Sequence, residues 1–422
     1  MPGSDSPPRS VQRPKVIPAL SDLTQDIAGP VPVRLLHDWA TGEQDPAAAE
    51  ALLQPFEIEG TVVSTDTSGL SRLTQSMDLL DTLSLISQPK EIVHALGRAI
   101  GGRAIGTWVA DNTEMFYPAE VEPDLVVDAM SEVQYRIHQR LRLRIGMCLH
   151  PGRYYDIGGG LYGVDADRVE TLAENCAGPE EILLTDEMVG RLKNVGASDL
   201  TLKEFPADAA RAWLLGGQRR LPELRESETL YPHPFPQDFY ALLPHFFDPE
   251  DQAAVKQRIY DEWLRERIVV FLALAHYRPE ATVTGLVNEL VTKALMATVV
   301  GGTLRPEGHL ASSGGGIAIL TFEHSAEALD YVRAAHEEFA RNGLFVCAGI
   351  DAGPVLLFPK YGSGSGITGD PVNIASKLAE ELGQPGRTCV TQRAALRLPG
   401  GVTHDPFEVK ISGITLKGVT IG

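Results

Sequence analysis

The chain reads as an α+β protein built from two similar domains in tandem. Three observations predict this. The first is an internal repeat. "VVSTDTSGLSRLT" from residue 62 is echoed by "IVVFLALAHY" from 268. "RAIGTWVADNTEMFYP" from 103 is echoed by "HLASSGGGIAILTF" from 309. "GLYGVDADRVETLAENCAGPEEILLTDEM" from 160 is echoed by "GITGDPVNIASKLAEELGQPGRTCVTQRA" from 366. Asp66 and Ala273, Asp111 and Gly316, and Gly163 and Gly369 lie 207, 205 and 206 positions apart. A constant separation across three blocks argues duplication of a whole domain. The second observation is the order of elements, β-α-α-β-β-α-β-α-β, run through twice. Strands interleaved with helices, with a tight hairpin inside, predict a mostly antiparallel sheet covered by helices. The third is size. The 422 residues, 43% apolar and 22% charged, suit two soluble domains, each long enough to bury a core.

Taken in order, residues 1–30 are polar and Pro-rich and predict a disordered N-terminus with no secretory signal. Residues 31–54, with "VRLLHDWA" and "DPAAAEALL", predict a helical brace on the first domain. The first domain spans 55–215. Its apolar strand "EGTVVSTD" leads into helices at "LSRLTQSMDLLDTLSLI" and "PKEIVHALGRAIG", then a strand pair at "AIGTWVAD" and "TEMFYP". A helix at "EPDLVVDAMSEVQYRIHQRL", the strand "RLRIGMCLH", a Gly-rich turn, another helix and the strand "EILLT" complete it. Residues 216–264 predict an ordered Pro- and aromatic-rich strap ending in a helix. The second domain spans 265–422.

The formal charge of −19 disfavours nucleic acid and anionic membrane as partners, since both need a basic face. No run of 18 apolar residues predicts a membrane span. Cys148, Cys176, Cys347 and Cys389 lack metal-ligand spacing and sit in apolar runs. They predict reduced core thiols and a cytoplasmic protein.

The chemistry-bearing residues are unevenly kept. The first copy has Asp66 and Asp111 where the second has Ala273 and Gly316. The second has Asn373 and Lys377 where the first has Asp167 and Thr171. This complementary loss predicts one composite site built from both copies. Asp66 ends a strand and is followed by Thr67, Ser68 and Gly69, a turn whose amides suit an anion. Asp111 falls in the hairpin. Two carboxylates from adjacent strand ends suit Mg²⁺ beside a triphosphate. A single Asp of this kind is more often a turn residue than a ligand.

Together "DTSGLSRLT", the acidic hairpin and "GDPVNIASKLAE" resemble the class III nucleotidyl cyclases, over about 55–215 and 265–422. The resemblance is nearest to soluble, tandem-domain adenylyl cyclases of the bicarbonate-responsive type. It implies two ferredoxin-like cyclase homology domains forming a pseudo-symmetric head-to-tail pair within one chain, with no need of a dimer. It further implies that Asp66 and Asp111 bind two Mg²⁺ (or Mn²⁺) ions, and that Thr67, Ser68 and Gly69 cradle phosphate. Arg144 and Lys417 match phosphate-contacting residues, with Lys410 the competing match for the latter. Asn373 would orient the ribose, and Lys377 stands where the family has a transition-state Arg. The implied reaction is 3′,5′-cyclisation of a nucleoside triphosphate, ATP by family weight, with release of pyrophosphate.

Three departures bear on this. Lys377 keeps the charge of the family Arg but not its fork. The base-reading pair is missing: Ser312 and Gly366 fall at its positions, with Arg305, His309 and Thr368 nearby. Thr107 and Thr171 stand where a second site would supply cations, so a cationic pocket is not expected at the degenerate site. These departures leave an alternative, an inactive cyclase-like module that binds nucleotide or a protein.

Overall fold

The computed structural model describes residues 27–28, 31–67, 77–106, 112–194, 196, 199–205, 210–217, 219–246, 248, 250–275, 282–304, 309–358, 366–398, 404–411 and 414–422. Asp111, Ser68, Gly69, Thr107 and Arg305 lie outside them, as does nearly all of 1–30. Within that last stretch β1 (Ile27–Ala28) pairs with β2 (Val31–Pro32), so its end is not wholly without structure.

Each domain is one sheet with helices against it. The first has β3 (Glu57–Thr67), β4 (Arg103–Ala104), β5 (Thr113–Pro118), β6 (Ile145–Ile157), β7 (Gly160–Tyr162), β8 (Ile182–Leu184), β9 (Leu200–Phe205) and β10 (Ala210–Leu215). The second has β11 (Leu264–Leu274), β12 (Leu310–Gly314), β13 (Ile317–Phe322), β14 (Val346–Leu357), β15 (Ile367–Thr368), β16 (Thr388–Thr391), β17 (Asp405–Ile411) and β18 (Ile414–Ile421). The strand orders are β4-β5-β3-β6-β8-β10-β9 and β12-β13-β11-β14-β16-β18-β17, with β7 on β6 and β15 on β14. The match is complete, strand for strand. Among the described strands only β6–β8 and β14–β16 run parallel. The duplicated α+β architecture expected from the repeat is therefore present.

The helices are α1 (Val33–Thr41), α2 (Pro46–Leu53), α3 (Leu79–Ala99), α4 (Pro123–Arg140), α5 (Val164–Thr171), α6 (Asp186–Arg191), α7 (Gln237–Phe246), α8 (Gln252–Trp263), α9 (Val283–Thr298), α10 (Ser325–Arg341), α11 (Asp370–Lys377) and α12 (Gln392–Ala395). The two helices expected between β3 and the hairpin are one, at least from Leu79 onward. Pro89 lies inside α3, where it removes a hydrogen bond at a cost of about 3 kcal/mol. Burial of Leu80, Leu83, Ile92, Val93 and Leu96 on the same helix offsets that cost. In both domains a π-helical turn follows the helix that crosses the sheet: Leu172–Cys176 after α5 and Leu378–Leu382 after α11.

The structure corrects the role of residues 31–54. They pack chiefly on the second domain, with Ile157 of the first domain in the same core. Val31, Leu35, Leu36, Trp39, Ala49 and Leu53 share a core with Val287, Leu290, Val291 and Leu295 of α9, in the second domain. Trp39 Nε1 donates to Asn288 Oδ1 at 3.0 Å, which satisfies the indole as its ring is buried. The reciprocal arrangement holds on the other side. Phe239, Leu243, Phe246, Ile259 and Trp263 of α7 and α8 pack on Leu80 and Leu83 of α3, in the first domain. Lys256 and Tyr260 of α8 both reach Asp78, the N-cap of α3, at 2.5 Å.

Each domain thus sends a helical hairpin, placed just before its first long strand, across to the other domain. The strap is the second copy of the brace. Asp45 and Asp251 precede the second helix of each hairpin and lie 206 positions apart, the same separation as the rest of the repeat. Between β10 and α7 the chain is tied along α4 by Arg220 to Glu132 (2.9 Å) and by Arg136 and Arg140 to Glu226 (2.9 and 2.8 Å).

Val283–Gly302, α9 and the turn after it, has the length and mean hydropathy (1.4) of a membrane span. The sequence expectation overlooked it. It is a core helix lying between its own sheet and the α1–α2 hairpin, and it carries Glu289 and Lys293.

Candidate functional site

The site residues of the first copy lie at the end of β3. Asp66 is half-buried and pairs in register with Gly146 of β6, and Thr67 pairs with Ile145. On the other side Thr65 pairs with Thr113 of β5, and their hydroxyls meet at 2.6 Å. Antiparallel register therefore carries Asn112, the neighbour of Asp111, alongside Asp66. The Thr67 hydroxyl is buried and has no hydrogen-bond partner among the described residues. Gly146 is required at this strand position. A Cβ there would meet the Ala177 carbonyl oxygen at 2.7 Å, where the turn after α5 passes over the sheet.

Behind Asp66 lies an acidic wall that the sequence analysis did not identify. Glu114 pairs across from Ser64, so it shares the face of the sheet that Ser64 and Asp66 occupy. Burial foremost, then Glu170 and Glu174, push its carboxyl up to about 7. Asn112 donates to Glu174, which ties the hairpin to the π-helical turn. An acidic residue inside the apolar run "TEMFYP" was the available signal.

Arg144, assigned to phosphate, stands at the start of β6. Its guanidinium donates to the carbonyls of Leu141 (2.6 Å) and Leu143 (2.9 Å), and its Nε lies 2.5 Å from Glu180. These bonds hold it at the corner between α4 and β6.

The second-copy residues lie on and after α11. Asn373 is exposed one turn into the helix, and its carbonyl accepts from Ser376. Lys377 ends the helix, with Nζ 3.5 Å from Glu381. Close packing of α11 on the sheet sets their height. A Cβ on Gly349 of β14 would meet the Ala375 carbonyl oxygen at 2.0 Å, so only glycine fits. Lys417 sits opposite Glu408 on the β17–β18 ladder, 3.1 Å from it, and both side chains are exposed. Of the base-reading positions, Ser312 lies on β12 and Gly366 accepts a backbone bond from Phe358.

The boundary beside the degenerate copy is described directly. A cavity of about 290 Å³ is lined by Ala273, Gly316, Glu289, Lys293, Cys347 and Glu380. Lys293 Nζ lies 2.5 Å from Glu289 and 5.8 Å from the ring centroid of Tyr162, in the first domain. Asp167 on α5 senses Glu289 and Lys293 electrostatically, and Glu170 senses Asp167 and Lys293. Asp167 and Glu170 are the repeat counterparts of Asn373 and Ser376. So α5 of the first domain lies within electrostatic reach of α9 of the second, while the residues that line the cavity belong to the second domain. One cation lines the degenerate site, Lys293 of α9, and it stands among the carboxylates Glu289 and Glu380, so the pocket is not a cationic one.

No protein-family model and no curated protein matches the chain. Solved structures do. One is a class III adenylyl cyclase-like ATP-binding protein from Pseudomonas aeruginosa, with 12% identity over 82% of this chain and 86% of that one, TM-score 0.48. Another is the adenylyl cyclase CyaB from P. aeruginosa, with 13% identity over 39% of this chain and 97% of that one, TM-score 0.31. A third is the guanylate cyclase domain of RhGC from Catenaria anguillulae in complex with GTP, with 13% identity over 38% and 98%, TM-score 0.31. The structural neighbours are class III cyclase-like proteins.

Proposed function

We propose that the chain binds one nucleoside triphosphate at the boundary between its domains and is a nucleotidyl cyclase. The observation that carries this is complementary retention within a pseudo-symmetric pair. Asp66 and Asp111 survive in one copy, and Asn373 with a cation at 377 survives in the other. The two copies share one strand order and clasp each other reciprocally. Across the degenerate boundary α5 lies within electrostatic reach of α9. On this reading the same relation would bring α11 toward α3 and the end of β3 and gather the retained residues at one place.

Asp66 and Asp111 offer hard carboxylate oxygens, which suit Mg²⁺ or Mn²⁺ with phosphate and water completing the shell. Two carboxylates leave coordination positions that the substrate's phosphate oxygens would fill. Bound ions would lower the pKa of the ribose 3′-hydroxyl and offset phosphate charge. The Thr67–Gly69 amides would take a phosphate oxygen. Asn373 would hold the ribose so that its 3′-oxygen faces the α-phosphorus. The new bond is 3′-O to phosphorus, the bond to pyrophosphate breaks, and the hydroxyl proton passes to solvent. Lys377 would stabilise the charge that develops at the α-phosphate, with Arg144 and Lys417 on the leaving group. ATP is the substrate proposed. One chain holds both halves, so a monomer suffices. The four buried free cysteines suit a reducing cytoplasm.

A second reading, nucleotide binding without turnover, has its own support. Three cations assigned to phosphate already have carboxylate partners: Lys377 has Glu381, Lys417 has Glu408 and Arg144 has Glu180. One experiment separates the readings. The protein is incubated with ATP, GTP, CTP and UTP, each with Mg²⁺ and with Mn²⁺, and cyclic products are read by mass spectrometry alongside calorimetric binding. A 3′,5′-cyclic product supports cyclisation. Binding with no product supports the second reading. Neither binding nor product overturns both.

A further inference from the structure

The degenerate site has lost its acids, and the same site has gained a base. Ala273 and Gly316 occupy the places of Asp66 and Asp111, and Lys293 of α9 lines the same cavity. The corresponding stretch of α3, residues 86–88, is Ile-Ser-Gln and carries no charge. On α3 the cations are Lys90 and Arg98, and neither takes the repeat position of Lys293.

Its surroundings cross the domain boundary. On its own helix Lys293 is paired with Glu289 at 2.5 Å, with both side chains about three-quarters buried (23% and 24% exposed). From the first domain the Tyr162 ring lies 5.8 Å away, within reach of a cation–π contact. Glu289 and Lys293 act on Asp167, and Asp167 and Lys293 act on Glu170, the lysine opposing the effect of burial in each case. Glu380 adds a further carboxylate to the cavity wall. One ammonium thus pairs with Glu289 on its own helix and acts electrostatically on two carboxylates of the other domain. Without it, Glu289, Asp167 and Glu170 would repel one another across the boundary.

We infer that Lys293 is a built-in counter-ion that closes the degenerate boundary, joining α9 of the second domain to Tyr162, Asp167 and Glu170 of the first without any ligand. The inference needs neither turnover nor nucleotide binding. It makes closure on this side a permanent property of the chain, and it leaves ligand-dependent closure to the side that holds Asp66.

The test is thermal unfolding of the full chain at low and high salt. Lys293→Met should lower the unfolding temperature by a few degrees at low salt, and the loss should shrink at high salt. Lys293→Arg should retain most of the native value. In an Asp167→Asn/Glu170→Gln background the effect of Lys293→Met should fall to less than half, because the cross-domain partners are gone. An equal loss in both backgrounds would overturn the inference and leave Lys293 as a pair within α9 alone. If Lys293→Met does not fold, the Asp167→Asn/Glu170→Gln chain is compared with the native one. A weaker salt dependence supports the bridge, and an unchanged dependence overturns it.

Discussion

Asp351 on β14, fully buried, is held by Arg393: Nε donates to Oδ1 at 2.7 Å and Nη2 to Oδ2. The Thr391 hydroxyl donates to the same carboxylate at 2.5 Å. In the first domain the place of Asp351 on the ladder belongs to His150, because Val62 faces His150 as Val269 faces Asp351. His150 Nδ1 meets the Thr185 hydroxyl at 2.9 Å, and Glu187 stands at the position of Arg393. The two copies thus keep the threonine and replace the Asp351–Arg393 pair around it by His150 and Glu187. Breaking such a pair from one side strands a buried charge. Arg393→Ala should destabilise the protein by about 3–5 kcal/mol. Denaturant unfolding measures it, and a loss near zero would show that Thr391 alone satisfies Asp351.

Asp66 is the residue on which the proposed chemistry most depends. Asp66→Asn keeps the shape of the strand end and removes the charge. Metal-dependent turnover should fall by at least about 10²-fold. The unfolding temperature should move little. Retained turnover would remove Asp66 from the site.

Lys377 is paired with Glu381 one helical turn further on. Glu381→Gln should release the ammonium toward phosphate and tighten nucleotide triphosphate binding, by roughly the 2–5-fold that an exposed pair is worth. Lys377→Met should weaken binding instead. Calorimetry with ATP and Mg²⁺ checks both. Identical affinities in all three proteins would show that position 377 does not meet phosphate.

His233 lies between Tyr231 and Tyr240, at 4.2 and 3.9 Å between ring centroids, and both its nitrogens lack partners among the described residues. Burial first, then His94 and Lys90, push its pKa down from 6.5 to about 4. Protonation therefore favours the unfolded chain. The contribution of neutral His233 is fully present above about pH 6.5 and is lost as pH falls toward 4. His233→Phe should flatten the decline in stability over that window. Unfolding temperatures between pH 7 and 4 would show it, and parallel curves would refute it.

The exchanged hairpins make the two domains mutually dependent. Trp39→Ala should cost about 3–5 kcal/mol, although Trp39 lies outside both sheets. A probe in the second domain should report the loss, since Trp39 packs on α9. A change confined to the first domain would contradict the exchange.

Much of the fold was legible because the repeat supplied two readings of one pattern. The strand ends at Asp66 and Ala273, and the helix starting at Asp370, came directly from apolar runs and their bounds. Pro89 misled, since a proline that breaks a helix in isolation is tolerated where the helix face is buried. The brace was assigned to the wrong domain. Its amphipathic helices announce a buried face but not its partner, and adjacency in sequence suggested the nearer one. Glu114 was missed because one acid in a strand has no periodic signature.

The sequence by itself determined the duplication, the complementary survival of Asp66, Asp111, Asn373 and Lys377, and the α+β class. These depend on residue identity and spacing, which are properties of the chain. The tertiary structure decided which hairpin covers which domain, that Arg144 and Lys417 have carboxylate partners, and that Lys293 pairs with Glu289 beside the Tyr162 ring of the other domain. Those relations join residues more than 100 positions apart or side chains free to choose among partners, and only packing selects among them.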